Sequence, residues 1–313
     1  MTDTIEFSGV YPAITTPFHE DGSIDFDNLQ TNVQRLESAG VDGIVPVGST
    51  GESATLSHDE HVEVVEAVVE AVEDVPVIAG SGSNNTAEAL SLSQRSVEAG
   101  ADALLLISPY YNKPEQQGLI EHYETIADAV AAPQIVYNVP SRTGSNIEPE
   151  TVAELASHPN IAGYKAASGD LGQISQVVEL TRDEEFAVLS GDDGLTLPVL
   201  SVGGVGTISV SANVEPERTC ALVQAALDGD YATAQALHHE LGPLCRALFW
   251  ETNPIPVKEA MAIRGYGPAH VRSPLTRLSD DLVEPLAAVL ADLDDGDDAA
   301  EATEYDRLAE VEH

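Results

Sequence analysis

The sequence predicts an α/β protein, a (β/α)8 TIM barrel with a C-terminal helical extension, and three observations predict it. Short β-branched and apolar runs recur at about thirty-residue spacing, the length of one β/α unit. Amphipathic stretches with helical spacing lie between them. Two of those stretches end in a short echo, AGVDG at 39–43 and AGADA at 99–103, as repeated units should.

The eight runs are VYPAITTP (10–17), GIVPVG (43–48), PVIAGSG (76–82), ALLLISP (103–109), QIVYNVP (134–140), IAGYKAAS (161–168), FAVLSG (186–191) and VGTISV (205–210). The helix after the second run opens with the capping box Ser57-x-x-Glu60, and Val62, Val65, Val69 and Val72 give it an apolar stripe. A doubly wound open sheet is the competing architecture, but no G-x-G-x-x-G follows the first strand. The barrel is assigned to residues 1–215. A helical region, 216–291, follows, with segments near 216–227, 230–250, 254–265 and 280–291 and a Gly/Pro-containing loop at 265–276. Residues 292–313 are dense in acids and poor in apolar side chains, and are expected to form a solvated, disordered tail.

Charge narrows the partners. Fifty-three acidic residues face thirteen basic ones, a net charge of −40, which repels nucleic acid and anionic membranes alike. Such a surface also repels itself unless salt screens it, which points to a very saline cytoplasm. There is no basic region followed by an apolar run at the start and no stretch of eighteen apolar residues, so a cytoplasmic protein is expected. Cys220 and Cys245 lie in apolar helical segments and read as small buried hydrophobes. Only three lysines occur, Lys113, Lys165 and Lys258.

Functional groups of a β/α barrel sit where its strands end. Here those ends carry Gly48-Ser49-Thr50-Gly51-Glu52, Pro109-Tyr110-Tyr111-Asn112, Asn138 to Gly144 and Ser190-Gly191-Asp192-Asp193. Lys165 stands inside an apolar strand, and alternation points it into the barrel mouth. A lysine there either pairs with a neighbouring strand's acid or, neutralised by burial, attacks a carbonyl. Tyr137, on the strand before, is an ordinary core aromatic or a proton carrier for that amine. The GSTGE turn offers N–H groups and two hydroxyls to a small carboxylate, unless it is a plain tight turn. Arg142, in the loop after Tyr137, could clamp a second carboxylate, although an arginine is more often a surface residue. His58 and His61 lie one helical turn apart, but with no H-x-H or H-E-x-x-H no metal site is expected.

Together the segments GSTGESATLSHDEH, AGSGSNNTAEA, SPYYNKP, YNVPSRTG, GYKAASGDL, LSGDDGLTLP and GGVGTISVSANV resemble the dihydrodipicolinate synthase/N-acetylneuraminate lyase family. The likeness runs from VYPAITTPF to about residue 265. It implies a class I aldolase with no cofactor, in which Lys165 forms a Schiff base with pyruvate. It implies that Tyr137 donates and accepts protons, with Ser49 and Tyr111 completing a hydroxyl relay and Tyr111 reaching in from a neighbouring subunit. Thr50, Gly191 and Ile208 match the pyruvate pocket, and Arg142 matches the residue that holds the carboxylate of L-aspartate semialdehyde. The implied reaction lies on the route to diaminopimelate and lysine. Ser53, Ala54, His58, His61, Asn84, Glu88 and Tyr110 match the L-lysine pocket of inhibited members, which lies at a subunit interface and implies a homotetramer. Two departures stand out: Ser49 occupies a position often threonine, with serine also typical of the lyases, and Ala166 follows the lysine where an acid is common. A sugar-acid aldolase on the same scaffold is the nearest rival function, and Arg142 argues against it. A barrel that binds a keto acid without catalysis is the other, which retention of Lys165 and Tyr137 disfavours.

Overall fold

A computed structural model describes residues 5–294 of the chain. Its seven strands are β1 (Gly9–Pro12), β2 (Ile78–Gly80), β3 (Ala103–Ile107), β4 (Gln134–Asn138), β5 (Ile161–Ala166), β6 (Ala187–Ser190) and β7 (Gly206–Ser209). They form one parallel sheet in the order β1-β7-β6-β5-β4-β3-β2. The helices are α1 (Phe26–Ser38), α2 (His58–Ala71), α3 (Thr86–Glu98), α4 (Gln116–Ala129), α5 (Pro140–Thr143), α6 (Pro149–Ala156), α7 (Leu171–Thr181), α8 (Thr196–Ser201), α9 (Pro216–Leu227), α10 (Tyr231–Ala247) and α11 (Ile255–Ile263).

The eighth stave is the second predicted run, and it closes the barrel. On one side Asp42 N donates to Val10 O (2.8 Å), Val45 N to Pro12 O (2.9 Å) and Ile14 N to Val45 O (3.0 Å). On the other, Ile44 N donates to Pro76 O (2.9 Å), Ile78 N to Ile44 O (2.9 Å) and Gly80 N to Pro46 O (3.1 Å). Only the bridges Ala13–Val45 and Ile44–Val77 are strand-like there. Pro46 has no N–H to donate, and Val47 turns away at φ 49°.

Alternation along the strands builds two cores. Ala103, Leu105, Ile135, Tyr137, Leu189 and Ile208 point into the barrel, while Leu104, Leu106, Val136, Tyr164, Ala166 and Val188 meet the helices. The capping box of α2 is present, with Ser57 accepting from Glu60 N and Glu60 accepting from Ser57 N. The buried face of that helix is His61, Val64, Val65 and Val68, so the predicted valine stripe needs correction. Of that stripe Val65 is buried, Val62 and Val69 are half-buried along one edge of the true face, and Val72 is the C-cap. Gly40 (φ 85°) and Gly100 (φ 100°) follow the C-caps of α1 and α3, where a side chain would be strained.

The C-terminal helices α9, α10, α11 and a last helix at 280–294 share their own core, including Leu222, Leu241, Leu244, Val257 and Leu286. Glu215, largely buried, accepts from Arg218 and Arg264, and Arg264 also grips Asp294 at 2.8 Å. Leu293 is buried, so residues 292–294 belong to this packing. The rest of the expected acidic tail lies outside the described residues. Among the described residues no helix is long and apolar enough to cross a membrane. Cys245 is buried and Cys220 half-buried, and burial raises both thiols to about 12.

Candidate active site

Lys165 and Tyr137 are register partners on β5 and β4. Tyr164 and Ala166 face the helices, so the two-residue period sends the Lys165 side chain into the barrel, where it is 5% exposed. Its Nζ lies 4.2 Å from the centre of the Tyr137 ring. Burial lowers the amine to about 7; Asp193 opposes this and Arg142 adds to it. Asp193 acts on the amine through space: its Oδ2 accepts from Val210 N (2.9 Å) and Ser211 N (2.8 Å), while Oδ1 has no partner. The pairing with a neighbouring acid that the sequence left open is therefore not what Lys165 does. An amine lowered this far is far easier to deprotonate than an ordinary lysine, the state in which an amine can attack a carbonyl.

The other lysines differ. Lys258 Nζ, itself buried, donates to the buried Glu52 and to His270 O (2.7 Å). Lys113 (φ 47°) is exposed beside Gly144.

Room for the Lys165 stem depends on Gly191, just past β6. A Cβ on Gly191 would lie 2.9 Å from Lys165 Cε, 3.0 Å from its Cγ and 2.9 Å from Ala167 Cβ. Ile208, on β7, is fully buried in the barrel interior.

Tyr137 is buried, which raises its phenol; Arg142 and a hydrogen bond with Ser49 pull it back. A phenol so placed carries its proton at neutral pH and has a hydroxyl partner to pass it to. The GSTGE turn delivers that partner. Val47 (φ 49°) and Glu52 (φ 55°) bracket it in left-handed conformations that non-glycine residues rarely adopt. A Cβ on Gly51 would sit 2.9 Å from Val47 N, so only glycine fits there. Among the described residues the N–H groups of Thr50 and Gly51 have no acceptor, and beside the buried Thr50 hydroxyl they suit a carboxylate.

Sequence reasoning passed over Asn253. Its Nδ2 donates to Thr50 Oγ1 (2.9 Å), and its carbonyl accepts from Arg142 Nη2 (2.9 Å). One buried residue of the C-terminal region thus touches both groups assigned to carboxylates, and its Oδ1 has no partner. The signal available was Asn253-Pro254 opening an apolar helix, which says nothing about what lies opposite.

Tyr111 is not brought to Tyr137 within one chain: it is 88% exposed, at φ 73°. Part of the second residue set does assemble. His58 Nε2 lies 3.1 Å from Glu88, which also accepts from Ser83. Asn84 O accepts from Asn112 (2.9 Å), two residues along the chain from the exposed Tyr110. His61 is buried, and burial lowers it to about 4. Ser53 is half-buried and Ala54 exposed in the short turn 53–55. No group of His, Cys, Asp and Glu side chains that could hold a metal ion occurs among the described residues.

The model of the Dihydrodipicolinate synthetase family matches residues 6–293. A 4-hydroxy-tetrahydrodipicolinate synthase of Haloarcula marismortui is 76% identical over 303 residues, covering 97% of this chain and 99% of that protein. A dihydrodipicolinate synthase from Acinetobacter baumannii, solved in complex with pyruvate, is 40% identical with a TM-score of 0.90, covering 91% of this chain and 98% of that one. The enzyme from Cyanidioschyzon merolae, solved with lysine bound, is 38% identical with a TM-score of 0.89, covering 93% and 99%.

Proposed function

We propose a function from a plain premise: the chain belongs to the dihydrodipicolinate synthetase family. It is a Schiff-base lyase of the 4-hydroxy-tetrahydrodipicolinate synthase type, condensing pyruvate with L-aspartate semialdehyde for diaminopimelate and lysine biosynthesis. The observation that carries this reading is the buried amine of Lys165, lowered to about 7 and set against Tyr137.

Lys165 Nζ adds to the pyruvate carbonyl, while Thr50 and the free N–H groups of the turn hold its carboxylate. Tyr137 gives a proton to the carbinolamine hydroxyl, which leaves as water, and Ser49 steadies the phenolate. The Tyr137 phenolate takes a methyl proton back, yielding an enamine whose carbon attacks the aldehyde, and the new alkoxide takes that proton from Tyr137. Arg142 receives the carboxylate of that second substrate. The substrate's own amine then adds to the imine carbon, closes the ring and frees Lys165. Gly191 and Ile208 shape the pocket wall. A sugar-acid aldolase would use the same imine but leave Arg142 without a carboxylate to hold.

Three finer readings go with this. Tyr111 completes the proton relay in a neighbouring copy, within a homotetramer, which accounts for a tyrosine projecting 88% exposed from the surface. L-lysine is an effector bound by Ser53, Ala54, His58, His61, Asn84, Glu88 and Tyr110, supported by the lysine-bound Cyanidioschyzon merolae enzyme. The net charge of −40 supports a saline cytoplasm. Borohydride trapping with pyruvate, followed by product assay with L-aspartate semialdehyde and with sugar-derived aldehydes, tests the assignment. A trapped adduct with turnover of sugar aldehydes alone would replace it.

A further inference from the structure

We infer that the buried Glu52–Lys258 ion pair is a clamp through which helix α11 sets the geometry of the Ser49–Thr50 turn, making both partners positioning residues for pyruvate. The inference rests on the reading of that turn as the pyruvate carboxylate site.

Glu52 ends the turn in a left-handed conformation, and Val47 begins it in another. A β-branched residue at positive φ is strained, and such strain persists only where the surroundings over-determine the backbone. The surroundings here are specific. The Glu52 side chain is fully buried, with Oε1 on Lys258 Nζ and Oε2 accepting from Arg272 N at 3.0 Å. Lys258 gives a further bond to His270 O at 2.7 Å, and its ammonium stacks 4.3 Å from the centre of the buried Phe18 ring. Arg272 lies 4.5 Å from the same ring, and its guanidinium grips Glu60 at 2.6 and 3.0 Å. Two carboxylates therefore meet two cations, and the cluster is neutral.

Burying two charges is a poor way to gain stability, because desolvation offsets most of the attraction. A fixed geometry is a better account of why the pair is there. Helix α11 reaches the turn at two points: Lys258 on Glu52 at one end, and Asn253, just before the helix, on the Thr50 hydroxyl at 2.9 Å. Thr16 Oγ1 adds a third, donating to Gly51 O at 2.7 Å. With Glu52 released, Val47 and Glu52 are free to relax toward ordinary φ, and the Ser49 and Thr50 groups move with them.

The test compares wild type, Glu52→Gln, Lys258→Met and the double variant at one fixed salt concentration. Melting temperature, half-saturating pyruvate for borohydride trapping and amide exchange of the peptide spanning 47–56 are read together. Each single variant leaves a lone buried charge or donor and should melt lower. The double variant removes both charges and should regain most of the melting temperature. It should still need at least tenfold more pyruvate and exchange its turn amides faster, while reaching a full adduct at saturation. A double variant with half-saturation within twofold of wild type and unchanged exchange would reduce the pair to packing and overturn the inference. If wild type forms no adduct, the pyruvate reading fails instead, and the exchange comparison alone decides the clamp: faster exchange supports it and equal exchange removes it.

Discussion

Lys165 Nζ stands 4.2 Å from the centre of the Tyr137 ring, because the two residues are register partners on adjacent strands that both point inward. Amine and phenol are thus placed by the sheet itself, and a one-residue slip of either strand would turn its side chain toward the helices. With the amine at about 7, the rate of pyruvate imine formation should climb from pH 6 to 8 and level off above. Mass spectrometry after borohydride should find one pyruvyl group per chain, on the Lys165 peptide, and none in Lys165→Ala. Label on Lys113 or Lys258 would contradict the assignment.

Tyr137→Phe keeps the ring against Lys165 and removes the proton. Turnover should fall by about 10²–10⁴-fold, the usual worth of a positioned acid or base, with the melting temperature nearly unchanged. A fall below tenfold would leave Tyr137 as a wall of the pocket.

Arg142→Ala should separate the two substrates. Losing a charge-assisted carboxylate contact costs about 1.5–3 kcal/mol, roughly ten- to 150-fold in use of L-aspartate semialdehyde. Pyruvate trapping should persist, since the Asn253 side-chain bond to Thr50 does not pass through the guanidinium. Equal loss in both steps would show that Arg142 acts by holding Asn253 O.

Acid should weaken the fold in two stages. His61 and His122 are buried, and burial lowers each from 6.5 to about 4. The unfolded chain binds more protons between those values, so the stability from keeping both neutral is complete above about 6.5 and is lost as pH falls toward 4. Glu60, held at about 2 by Arg272, adds a loss that begins near 4.5 and continues to lower pH. Urea unfolding at fixed salt should show the first stage flattened in a His61→Gln/His122→Gln variant. An unchanged slope there would assign the loss to other groups.

Salt should act in the opposite sense. A net charge of −40 repels itself over a Debye length that shrinks from about 30 Å at 0.01 M to about 3 Å at 1 M. Melting temperature should therefore rise steeply from low to molar KCl. A flat profile would mean that the acids are compensated locally.

What the sequence revealed and what it hid divide along a physical line. Periodicity showed the staves and sent Lys165 inward, since both follow from a two-residue repeat within one segment. It showed the second stave too, though Pro46 and Val47 cut that stave to two bridges. It set the buried stripe of α2 too far to one side, because Val62 and Val69 border the true face along a single edge and share Val65 with it. It gave no hint of Asn253 against Thr50 or Lys258 against Glu52, residues 203 and 206 apart in the chain. Contacts of that kind leave no period to read.

The grip of α11 on the turn also bears on how such a chain can be inherited. A recombination joint at residue 215 looks natural, since the last strand has ended and the next helix has not begun. Yet a donor's C-terminal helices would have to bring an asparagine for Thr50, a carbonyl for Arg142 and a lysine for Glu52, all in register with a foreign barrel. Chimeras joined there should fold around an active site whose two halves do not recognise each other. The strands and the helices that follow them are one heritable unit.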